Sequence, residues 1–145
     1  MTAVLPAMQE LARRILAIEA ARPQTTGTQV DVAVQVCEKL QVPLSKLAGP
    51  AGFSSLMSRA LALAKAEIPF LRVVQVRPDG SLAGFEEIKP GHDAGGFETG
   101  RVVLVTHLLG LLATFIGEAL TRRLVYDVWP DASTESTDSK REEKI

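Results

Sequence analysis

Two histidines, one cysteine and a scatter of serines and carboxylates are the side chains of this chain whose types admit chemistry. His107 lies inside sixteen consecutive uncharged residues, Val102 to Gly117. An imidazole can move a proton, bind a metal or accept a phosphoryl group, but each role needs access. Leu108, Leu109, Leu111 and Leu112 beside it predict burial in a core or at an interface. His92 and Asp93 occur in KPGHDAGGFETG, where Glu98 or Glu86 would have to complete a metal set. Metal sites need several ligands held on rigid elements, and nothing in this spacing supplies them, so no metal and no cofactor is expected. The glycines at 91, 95, 96 and 100 lack the flanking strand and helix, and the lysine, of a phosphate loop. Cys37 precedes Glu38, whose charge disfavours a thiolate, so inert packing is expected. Ser54, Ser55 and Ser58 read as caps or solvated positions, and no G-x-S-x-G is present. Glu86 and Glu87, adjacent on a strand, would point to opposite faces and not work as an acid–base pair. No catalytic residue is expected.

The phrase HLLGLLATFIG, His107 to Gly117, resembles the phosphorylated segment of the histidine-containing phosphotransfer domains, helical bundles of two-component signalling. In that family a lysine and a glycine follow the histidine by three and four residues, and a second glycine by ten. Gly110 and Leu111 stand at the first two of these positions and Gly117 at the third. The resemblance covers eleven residues and implies, as an alternative reading, a signalling domain with His107 as phosphoacceptor. A further alternative is a small enzyme whose glycine-rich loop closes over a ligand.

A chain of 145 residues is the size of one domain with one core. Its 16 basic and 17 acidic residues leave a net charge of −1, with no electrostatic footprint for nucleic acid or an anionic membrane. A lone cysteine excludes an intramolecular disulfide and a multi-cysteine zinc site and fits a reducing, cytoplasmic setting. Glu10, Arg13 and Arg14 fall where a secretory signal would need an apolar stretch, so the N-terminal segment is expected to belong to the fold.

The elements follow from periodicity. Val4, Met8, Leu11, Ile15 and Ile18 form one helical stripe that ends at Arg22-Pro23. Residues 28–42 read two ways: Val30, Val32, Val34 and Val36 alternate like a strand, while Asp31, Gln35, Glu38 and Lys39 form a polar helical stripe. A Thr28/Asp31 capping pair favours the helix, which Pro43 should stop. LSKLAGPAG then predicts a short turn and a Gly-Pro corner. Phe53, Leu56, Met57, Ala60, Leu61, Ala64 and Ile68 mark a third helix ending at Pro69. FLRVVQV, the turn RPDG and SLAGFEEI predict a β-hairpin over about 70–87. Residues 89–100 read as a flexible glycine-rich loop, and 130–145 as a disordered tail. The expected fold is therefore mainly α: a four-helix bundle-like single domain over 1–129, with the hairpin inserted between the third helix and a long hydrophobic fourth helix.

That fourth helix, with its ends included, is expected to run from about Phe97 to Trp129, roughly 45–50 Å if unbroken. A membrane span needs about 20 apolar residues. The run here is shorter, contains His107 and is followed at once by Glu118, Arg122 and Arg123, so a membrane is not the expected partner. Thr106, Gly110, Ala113, Thr114 and Gly117 line up on one side, where small side chains let another backbone approach. Tyr126 and Trp129 close the helix with amphipathic rings suited to an interface anchor. These seven residues are the expected interface of a homo-oligomer, or of a protein partner docked by an adaptor or regulatory subunit. On this reading Gly117→Leu either overpacks the core by about 1–3 kcal/mol or separates an oligomer while leaving the fold intact.

Overall fold

Apolar side chains at three- and four-residue steps wind Val4–Ala21 into helix α1 and turn Met8, Leu11, Ala12 and Ile15 into the core. The computed structural model describes residues 4–21, 32–77, 82–84 and 94–133 of the chain. Its architecture is mainly helical with a small antiparallel hairpin, as the periodicity predicts. The division into helices differs from that expectation in three places.

First, helix α2 runs from Val32 to Glu67 and joins what the sequence separates into two helices. From Val32 onward the valine-rich segment is helical, with Val34 and Val36 buried; the proposed Thr28/Asp31 cap lies outside the described residues. Pro43 does not stop the helix. An interior proline costs about 3 kcal/mol. Leu40 and Leu44 on either side are fully buried, and each such side chain returns about 1.5–3 kcal/mol. The break falls instead at the Gly-Pro corner, where Gly49 is non-helical (φ 81°, ψ 161°) and Pro50 starts the second half with its φ already set.

Second, the hairpin forms but is much shorter than its β-rich sequence suggests. Pro69–Val73 is a 3₁₀ turn that puts Leu71 into the core, with Val74 following at the next buried position. Strands β1 (Gln75–Val76) and β2 (Leu82–Ala83) then pair antiparallel, Gln75 opposite Ala83 and Val76 opposite Leu82. Residues 78–81, the predicted turn, lie outside the described residues.

Third, the fourth predicted helix is two helices: α3 (Ala94–Ile116) and α4 (Glu118–Val128), separated by Gly117. Helix α3 also begins inside the stretch read as a loop, so residues 94–100 are helical and 89–93 lie outside the described residues. Of the predicted tail, Pro130–Ser133 forms a 3₁₀ turn with Ala132 buried, and the remainder is outside the described residues.

Helix α3 is the centre of the packing, with its largest contacts to α2 and α1. That position suits a helix apolar nearly all round: Leu104, Val105, Leu108, Leu109 and Leu112 are buried on several faces. The window Thr99–Ile116, with mean hydropathy 1.7, is long and apolar enough to cross a membrane by length and composition, and 56% of it is buried inside the fold. The hairpin is held close to the 3₁₀ turn at Gly84 (φ 102°), where an added Cβ would overlap the Val73 carbonyl oxygen. Gly84→Ala is expected to destabilise the chain by about 2–3 kcal/mol, from backbone strain plus the overlap, measured by urea unfolding; an unchanged midpoint would show that the hairpin does not contribute to the cooperative fold.

Candidate functional site

The small-residue row of α3 divides between core and surface. Thr106, Gly110 and Ala113 are buried, whereas Thr114 and Gly117 are exposed. Thr114 returns its hydroxyl to the Gly110 carbonyl at 3.0 Å, the usual back-bond of a helical threonine. The Thr106 hydroxyl is buried without a hydrogen-bond partner. The two threonines thus have opposite settings on one helix.

Gly117 makes the corner. Its dihedrals, φ 94° and ψ 152°, belong to a region that only glycine enters at low cost. Helical hydrogen bonding continues on both sides: the Gly117 N–H donates to Ala113 O at 2.8 Å and the Thr121 N–H to Gly117 O at 3.1 Å. The Thr121 hydroxyl donates to the same carbonyl at 2.8 Å. A Cβ at Gly117 would meet nothing within 4 Å, so overpacking is not the penalty there; the cost of a side chain lies in the backbone. Around the corner Phe115 is 60% exposed and Leu120 38% exposed, with Thr114, Gly117, Ala119 and the charged Glu118 exposed in the same stretch.

Beyond the corner, α4 lays Thr121 and Val125 inward, one turn apart, with Trp129 one turn further. On its other side Arg122 Nε donates to Glu118 Oε2 at 3.0 Å and Nη1 to the Tyr126 hydroxyl at 3.2 Å. Burial lowers the affinity of this guanidinium for its proton, but the bonds from Tyr126 and Glu118 outweigh it and hold Arg122 above its ordinary value. Tyr126 is half-buried in this arrangement.

Trp129 is wholly buried, and its indole Nε1 donates to Glu19 Oε1 at 2.9 Å. Glu19 is itself 3% exposed, and Lys39 Nζ approaches its two oxygens at 3.0 Å and 2.8 Å. One carboxylate thereby ties α1, α2 and the end of α4 together. Beside it, Arg14 Nη1 donates to the Ala132 carbonyl at 2.9 Å, pinning the last described turn to α1. A buried carboxylate is costly unless its oxygens are occupied, and this one has an indole and an ammonium. The sequence singles out neither residue for this role: Glu19 is not among its candidates, and Lys39 stands only in a polar helical stripe. A signal existed: Leu11, Ile15 and Glu19 follow at four-residue steps, so the carboxylate continues the apolar stripe of α1.

His107 lies on the other flank of α3, where its Nε2 is 2.6 Å from Glu67 Oε2 at the end of α2. The ring is mostly buried and the carboxylate half exposed. A carboxylate at that nitrogen repels an incoming phosphoryl group and suits a helix-to-helix tie. Ser54, Ser55, Ser58 and Arg59 line a shallow concavity on α2 with Leu56. Among the described residues no three histidine, cysteine, aspartate or glutamate side chains gather as a metal-binding group. His92, Asp93 and Glu86 lie outside the described residues, and nothing is described of the Glu98 side chain.

No family model, no curated protein and no solved structure matches this chain. The geometry therefore stands alone, and the corner and the Glu19 seat are its two distinctive features. Glu19→Ala is expected to cost about 2–4 kcal/mol, because it strands a buried indole N–H and a partly buried ammonium, and Glu19→Gln about half of that. Chemical denaturation followed by emission of Trp129, the chain's single tryptophan, measures both.

Proposed function

We propose that this chain is a non-enzymatic interaction module, an adaptor or regulatory subunit of the cytoplasm, built as a four-helix bundle-like unit that self-associates through the corner between α3 and α4. One observation carries the reading: Phe115 and Leu120 are exposed on either side of the bend, in a stretch where the small residues Thr114, Gly117 and Ala119 are exposed as well. Large exposed apolar side chains set beside small ones present a protruding and a recessed surface, the complementarity that a self-matching contact requires. The site offers packing surface and no activated nucleophile. Thr106, Gly110, Ala113 and Trp129 support the contact from within by fixing the position of α3 and α4, while Thr114, Gly117 and half-buried Tyr126 contribute surface.

The test is solution mass by size-exclusion chromatography with light scattering over a concentration series. The wild-type chain is expected to exceed the 15.6 kDa of one copy as concentration rises. Phe115→Ser with Leu120→Ser is expected to return it to one copy with unchanged helical circular dichroism, a weakening of about 2–4 kcal/mol for two apolar side chains. A wild-type chain of single-copy mass throughout removes the self-association reading.

A further inference from the structure

The sequence and the structure disagree about one residue. Helical periodicity continues through Gly117, whereas the chain bends there into a conformation that glycine alone enters cheaply. Hydrogen bonds on both flanks keep the preceding and following turns helical, so a change at Gly117 alone would join α3 and α4 into one straight helix from Ala94 to Val128. In the bent form a Cβ on Gly117 would meet nothing within 4 Å, so no packing against that atom holds the bend.

Straightening would lift Trp129 from Glu19 and leave the buried carboxylate without its indole partner. The seat is specific: an apolar ring with one N–H donor, arriving with Val125 one turn before it and Ala132 held by Arg14 after it. The segment with that chemistry is the α4 of a second copy. We infer that self-association proceeds by exchange of α4: Gly117 straightens in both copies, and each Trp129 occupies the Glu19 seat of the other. Every contact of the closed chain is then remade between copies, and exchange of an identical element is a low-cost route to a dimer.

In the straightened helix Thr114 and Gly117, three residues apart, share one side, where small side chains let the two hinge segments approach closely. This inference rests on the self-association reading and specifies its mode, so the experiment separates the two.

Full-length Gly117→Ala is compared with wild type by light scattering across concentration. Alanine is strained in the bent conformation and at ease in the straight one, at about tenfold per hinge, so the dimer dissociation constant is expected to fall about a hundredfold. Two further variants, Glu19→Ala and Trp129→Phe, are prepared in both the wild-type and Gly117→Ala chains. Each alone is expected to leave the self-dimer close to its parent's strength, because the pairing is lost from the closed chain and from the dimer alike, and mixing the two to strengthen dimerisation, because the mixed dimer regains one Trp129–Glu19 pairing that neither closed chain has. Strengthening on mixing supports exchange in whichever background folds. A mixture that dimerises no more strongly than either variant alone overturns exchange while leaving side-by-side self-association intact. A Gly117→Ala chain that folds and remains at single-copy mass overturns exchange as well, and the Phe115 and Leu120 measurement then judges the wider reading on its own.

Discussion

The carboxylate of Glu19 is almost completely removed from water, and the end of α4 is arranged to satisfy it. An unpaired carboxylate in an apolar interior is one of the costliest groups a small domain can bury, so its partners are obligatory. Lys39 reaches it from α2 and Trp129 from the far end of α4. Because the indole must come back to α1, α4 cannot continue in the direction of α3. The bend at Gly117 follows from that requirement, and the exposed corner follows from the bend.

This dependence links stability to surface. A straight helix through residue 117 would satisfy local propensity better, since glycine in an unusual conformation contributes nothing by itself. The bent form wins because it returns Val125, Trp129 and Ala132 to the core, together with the indole and Arg14 hydrogen bonds. The gain is tertiary, and a second copy can supply the same groups. A chain whose local and tertiary preferences compete at one glycine has two nearly equivalent ways to bury the same residues, which is the physical setting in which association and folding share contacts.

Much of the fold was legible in the residues. The stripe from Val4 to Ile18, the run from Phe53 to Ile68, the Gly-Pro corner and the hairpin are all present. What went unread has identifiable causes. Pro43 looks like a stop because its effect is local, but Leu40 and Leu44 are packed from outside the segment. FLRV looks like a strand because its residues are apolar and partly β-branched, yet Pro69 starts a 3₁₀ turn that seats Leu71. Of the site, Trp129 and Gly117 were visible by type and Glu19 was not, since a carboxylate continuing an apolar stripe acquires meaning only from the partner that meets it.

By itself the sequence determined that the chain is mainly helical, that one face of α1 and one face of the second half of α2 are apolar, and where glycine permits a turn. These are consequences of side-chain spacing and backbone sterics within a few residues. Only the tertiary structure decided that α2 passes through Pro43, that the last helix bends at Gly117, and that residues 19, 39 and 129 meet at one point. Those outcomes depend on contacts between residues far apart in the chain, 110 positions for the Glu19–Trp129 bond and 118 for Arg14–Ala132, and no local spacing encodes which distant donor will reach a buried acceptor.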